Sequence, residues 1–170
     1  MVMFLRILGY VWAAPITVFG LIYTLTFWAL GWYRWYGTYD VTLVWATVPE
    51  KMPKWLTGLW ENPTFDVAGH SIANVIVIDT NDFRDLEAIK TTMKHEAQHA
   101  RQCMILGVFQ PITYLLMMLV IMAACRTSHP YYSNPYEIDA RRAAGQLIDV
   151  EGKLRRRQQE KAGGKHVGND

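Results

Sequence analysis

Two stretches without a single charged residue, Ile7 to Tyr33 and Gln102 to Cys125, constrain this chain more than any other feature. Runs this long and apolar leave water for a protein core or for lipid. The mean hydropathy of +0.03 therefore averages two unlike populations, because the rest of the chain is ordinarily polar. With 170 residues there is room for one core of usual size. A content of 51% hydrophobic and 19% charged residues excludes a disordered segment or a solvated tail.

The first stretch follows one basic residue, Arg6, and is much longer than the apolar part of a cleavable signal peptide. It exceeds the roughly 20 helical residues needed to cross a bilayer core. Pro15 is a candidate kink, while Gly9, Gly20 and Gly31 are ordinary in a membrane helix. Trp28, Trp32, Tyr33, Trp35, Tyr36 and Tyr39 crowd its end, as interfacial aromatics do. A membrane-associated helix over residues 1–36 is expected.

The net charge of +2 is too small to imply a nucleic-acid partner, and none is expected. The excess lies near the C-terminus, at Lys153, Arg155, Arg156, Arg157, Lys161 and Lys165. These residues suit either a solvated helical face or anionic headgroups. Cys103 and Cys125 lack paired metal or disulfide spacing and read as free, buried thiols. With the basic tail they favour a membrane-associated protein whose body is cytoplasmic.

Val41–Val48 is β-branched and aromatic and reads as a strand, followed by a loop-rich stretch from Pro49 to Pro63 in which Trp55, Leu59 and Trp60 are candidates to pack on the body or dip into a lipid interface. A second strand is expected at Ile72–Ile78. The polar cluster from Asp79 to Asp82 then reads as a helix start. Leu86, Ile89, Met93 and Ala97 or Ala100 recur at helical spacing, so a helix is expected from Phe83 to Phe109, interrupted by Pro111. A second apolar helix runs to Cys125, then Arg126–Pro130 makes a polar turn. Asn134-Pro135 suits the start of a last helix, expected to continue to Gly163-Gly164.

Inside the polar helix lies His95-Glu96-Ala97-Gln98-His99, an HExxH motif. Positions i and i+4 share a helix face, so both imidazoles can reach one Zn²⁺, with Glu96 beside it to take a proton from zinc-activated water. A catalytic zinc wants a third protein ligand and an open fourth position. Glu137, in Asn134-Pro135-Tyr136-Glu137-Ile138-Asp139-Ala140, is the natural third.

HExxH followed by a helix carrying ExxA resembles the gluzincin group of zinc metallopeptidases. The pairing of HEAQHARQ with YYSNPYEIDARR also looks like a family of small membrane-associated bacterial and phage proteins with HExxH and NPxExxA motifs. The likeness covers most of Leu5 to Arg142 and is specific only at His95–Gln102 and Tyr131–Arg142. It implies His95, His99 and Glu137 as zinc ligands, Glu96 as general base, and Ile72–Ile78 as the edge strand pairing with an extended peptide substrate. Gluzincins often place an aspartate four residues after the glutamate ligand, and here that residue is Arg141. The partner of His95 is thus open among Asp139, Asp79 and a main-chain carbonyl. Transition-state donors are open among His129, Tyr131, Tyr132 and Tyr136. His70 reads as a polar loop residue and Gln102 as a local hydrogen-bonder; Arg141 and Arg142 suit a solvated face or a substrate carboxylate.

If Gln102–Cys125 crossed the bilayer, the histidines and Glu137 would lie on opposite sides and could not share a metal. After Pro111 only Ile112–Cys125 remains, about 21 Å of helix against a core of roughly 30 Å. The apolar helix 104–125 is therefore expected to re-enter or to pack.

The expected fold is α+β and mostly helical: a zincin-like zinc helix, a short edge sheet and an N-terminal membrane-associated helix. Residues 37–162 form the metallopeptidase body and 163–170 a tail. The expected function is hydrolysis of a peptide or protein substrate at the membrane lipid surface. The alternative is a catalytically inactive zinc-binding structural or virion/host-interaction membrane protein.

Overall fold

The computed structural model describes residues 2–54, 68–79, 86–125 and 130–148. The expected cap at residues 80–82, the Trp55 and Trp60 contacts, His129 and the basic tail lie outside them.

Helix α1, Val2–Ala29, is followed by strands β1, Tyr33–Tyr39, and β2, Thr42–Thr47. Then come β3, Gly69–Ile72, and β4, Val75–Ile78. Among the described residues four α-helices follow: α2, Leu86–Leu106; α3, Gln110–Cys125; α4, Pro130–Ser133; and α5, Pro135–Ala144. The architecture is mostly helical around a four-stranded sheet of order β1-β2-β4-β3. β2 and β4 are parallel, and the two outer pairings are antiparallel.

The sheet is covered on both faces, which explains why its two central strands lack polar alternation. On one face Val44, Ala46, Ile76 and Ile78 pack against Ile89, Met93 and Ala97 of α2. On the other, Tyr33, Trp45, Val75 and Val77 meet Leu21, Tyr23 and Phe27 of α1. The result is a three-layer core in which the N-terminal helix is a structural layer. Its approach is close enough to need glycine: a Cβ on Gly20 would lie 2.8 Å from the Ile72 carbonyl oxygen. Buried Asn74 closes the sheet end, accepting from the Thr17 hydroxyl at 3.1 Å and donating to the Val41 carbonyl at 3.0 Å.

Four expectations change. The apolar run Ile72–Ile78 is not one strand, because Ala73 turns at φ 50 and divides it into the end of β3 and all of β4. The sheet edge is consequently Gly69–Ile72, with β4 internal. Helix α1 ends at Ala29, and Tyr33, Trp35, Tyr36 and Tyr39 belong to β1. The helical break falls at Gly107, whose φ of 57 suits glycine and where a Cβ would overlap the Trp12 ring. Pro111 instead sits in the first turn of α3, where no helical N–H is lost. Finally, α5 stops at Ala144 because Gly145, at φ 71, caps it in the left-handed conformation.

Two helical stretches, Phe4–Ala29 and Leu86–Ala124, are long and apolar enough to cross a membrane. The second does not separate the motifs. Asn134 Nδ2 donates to the Tyr114 carbonyl at 3.4 Å, so the chain returns to the first turns of α3 before α5 begins.

Candidate metal centre

Helix α2 places His95, Glu96 and His99 toward the β3 edge, while α5 brings Glu137 against them from its first turn. Asn134 caps α5, accepting from the Tyr136 N–H at 3.1 Å, and Pro135 takes the first position. This local chemistry fixes where Glu137 points. His95, His99 and Glu137 form a buried group able to bind a metal ion. His95 Nε2 lies 3.2 Å from Glu137 Oε2, His99 Nε2 lies 3.2 Å from Oε1, and the two Nε2 atoms are 3.2 Å apart. The His95 and Glu137 side chains are 8% and 3% exposed, and that of His99 11%.

The outer ring nitrogens are held by amides. His99 Nδ1 is 2.9 Å from Gln102 Oε1, and His95 Nδ1 is 2.8 Å from Gln146 Oε1. The orientation of Gln102 is fixed by chemistry: its NH₂ donates to the Tyr136 carbonyl at 3.0 Å and the Asp139 carboxylate at 2.9 Å, leaving only Oε1 for His99. His99 then donates from Nδ1, so that in the neutral ring the lone pair lies on Nε2, facing His95 and Glu137. Gln146 Oε1 offers His95 Nδ1 the same kind of acceptor. Glu137 Oε2 is buried without a hydrogen-bond partner, although Oε1 accepts from the Tyr114 hydroxyl at 2.8 Å. Converging lone pairs and an orphaned carboxylate oxygen are costly unless a cation sits between them.

Burial disfavours the His99 imidazolium, but the hydrogen bond to Glu137 and the charges of Glu96 and Glu137 outweigh it and raise its pKa to about 9. Burial likewise opposes the Glu137 carboxylate, yet contacts with His95, His99 and Tyr114 hold its pKa well below the usual range. Glu96 goes the other way. Its desolvation raises the carboxyl pKa more than His99, His95 and a hydrogen bond with Ser71 lower it.

A cleft of about 300 Å³ opens over the group, lined by Gly69–Ser71 of β3, Glu96, His99, Tyr114, Tyr131 and Glu137. His70 thus lies in the cleft wall and not in a solvated loop; burial depresses its pKa to about 4, which keeps the ring neutral. Of the nominated tyrosines only Tyr131 lines the cleft. Tyr132 lies beneath the Arg141 guanidinium, and Tyr136 stacks on Tyr114 at 6.0 Å. Since Gln146 faces His95 Nδ1, neither Asp139, which accepts from Gln98 and Gln102, nor Asp79, which accepts from Thr47, is the partner of that nitrogen.

Gln146, Ser71 and Tyr114 are the residues that sequence reasoning missed. A signal existed for Gln146, since Gly145 after the basic Arg141-Arg142 turn is a helix-stop pattern. Gln102, read as a local bonder, ties α2 to α5. Gln102→Leu is expected to weaken metal binding roughly 10–100-fold. It should also lower stability by about 1–3 kcal/mol, because one donor, His99 Nδ1–H, and two acceptors, the Tyr136 carbonyl and the Asp139 carboxylate, lose their partner. Metal titration and thermal melts of the variant check both.

Comparison with known proteins found no family model, no curated protein and no solved structure that matches this chain.

Proposed function

We propose that this chain is a membrane-associated, gluzincin-like zinc metallopeptidase. The observation that carries the proposal is the mutual 3.2 Å spacing of His95 Nε2, His99 Nε2 and the Glu137 oxygens, with both imidazoles held from behind. Zinc bonds of about 2.0–2.1 Å at tetrahedral angles put donor atoms about 3.3–3.4 Å apart. Two imidazoles and one carboxylate are also a donor set of hydrolytic zinc sites.

Bound there, zinc would supply a Lewis acid that polarises a peptide carbonyl and acidifies water in the cleft. Glu96 is the general base. Its desolvated carboxylate, oriented through Ser71, takes a proton from the attacking water and delivers it to the amine nitrogen as the C–N bond breaks. β3 offers an edge strand beside Glu96 on which an extended substrate can lie.

Membrane association rests on the outward faces of α1 and α3. Phe4, Leu8, Val11, Phe19 and Ile22 are exposed on the first, and Ile112, Leu115, Leu116 and Leu119 on the second. A zinc-binding protein without turnover is the second reading, favoured by one observation: neutral glutamines, which raise ligand basicity less than carboxylates, orient both imidazoles.

Metal analysis and a peptide-library assay on the full chain in detergent test the proposal. About one zinc per chain is expected, with cleavage lost on chelation and restored by zinc. Zinc without cleavage would move the assignment to the second reading, and a chain that binds no zinc removes both.

A further inference from the structure

We infer that Arg141 is a receptor for a carboxylate carried by the substrate, seated in a recess at one end of the cleft. The inference rests on the metallopeptidase reading above. Arg141 stands one turn after Glu137 on α5, so the residue that follows the ligand by four is a cation beside the centre. Its guanidinium carbon lies 4.9 Å from the centre of the Tyr132 ring and 6.0 Å from that of Tyr131. Those rings hold the group by cation–π attraction through its face, which leaves the N–H edge to meet an acceptor. Arg141 Nε is buried and has no hydrogen-bond partner. None of the salt bridges among the described residues involves Arg141.

The recess has a volume of about 60 Å³ and is lined by Gly69, His95, Glu96, Tyr131 and Gln146 beside Arg141. Gly69, Glu96 and Tyr131 also line the large cleft, so the two spaces meet at the proposed base. The recess is about a fifth the volume of the cleft, and a small planar group such as a carboxylate fits it. A buried Nε–H without an acceptor is unfavourable, and a planar fork of donors matches a planar carboxylate with two parallel bonds. Along β3 the substrate would thus run from the roomy end, near Ala73 and Tyr114, to a polar end closed by Arg141. The carboxylate can come from the free C-terminus of a peptide or from an Asp or Glu side chain next to the scissile bond.

The test uses the full, zinc-loaded chain in detergent micelles and matched peptides. One arm compares free C-termini with C-terminal amides; the other, fully amidated, compares Asp and Glu with Asn and Gln around the cleaved bond. At least a tenfold preference in kcat/KM, mostly through KM, is expected for the carboxylate in one arm, and that arm identifies its source. Arg141→Gln should erase the preference and Arg141→Lys should keep part of it, with zinc content of both variants confirming an intact centre. Equal cleavage of all pairs, or a preference that survives Arg141→Gln, overturns the inference while leaving the peptidase reading standing. If no peptide is cleaved, calorimetric titration with N-acetylglycine and N-acetylglycinamide decides. Carboxylate-selective binding lost in Arg141→Gln retains the receptor without the peptidase, and equal or absent binding overturns it.

Discussion

Glu96→Gln is expected to lower peptide hydrolysis by about a thousandfold, within the range that general acid–base groups contribute, while zinc content and melting temperature stay at wild-type values. The substitution keeps the shape of the side chain and an acceptor for Ser71, so the packing of α2 on β3 is preserved. It removes the negative charge and the basic oxygen. A glutamine cannot take a proton from water, whatever the metal does to that water's acidity. Because Glu96 is buried at 7% exposure beside His95 and His99, no other carboxylate of the described residues except Glu137 lies in the cleft lining. Glu137 is engaged by both imidazoles and Tyr114. Cleavage that persists in Glu96→Gln at wild-type rate would end the proposed mechanism.

His99→Ala is expected to remove the zinc and, with it, a large part of the thermal stability. Losing an inner ligand should cost more than the 10–100-fold associated with outer partners. The truncation leaves Gln102 Oε1 without a donor and removes the imidazole that faces Glu137 Oε1. In wild type, zinc at a thousand times its dissociation constant adds about 4 kcal/mol to the folded state. For a chain of this size that is about 10 °C in melting temperature. The variant should lack this zinc-dependent rise, so melts with and without zinc compare the two proteins directly. An equal rise in His99→Ala would place the metal somewhere else.

Much of the centre was legible because its chemistry is local. The i and i+4 spacing of His95 and His99 needs only a helix, and the Asn134-Pro135 start of α5 needs only capping rules. What surrounds the centre was less legible. Gln146 reaches His95 only because Gly145 ends α5 and turns the chain back, whereas helical periodicity alone runs on through the arginines. The edge strand was misplaced because Ile72–Ile78 is apolar throughout, and a continuous apolar run carries no alternation to betray the turn at Ala73. Tyr114 sits in an apolar stretch that reads as lipid-facing, and nothing local says that α3 begins beside Glu137.

The two charge-free stretches show the same division. Composition determined that both are apolar enough for a core or for lipid, and the shared ligand set required that the second not separate His95 and His99 from Glu137. Only the tertiary structure decided what the first stretch packs on. Its inner face covers Trp45, Val75 and Val77 of the sheet, and Gly20 lets it approach within contact of β3. Hydropathy cannot separate these roles, because a methyl group leaves water for lipid or for a sheet at similar gain. The difference lies in shape, in small residues set where a neighbour's backbone passes, and that is a property of the pair of surfaces and not of either segment alone.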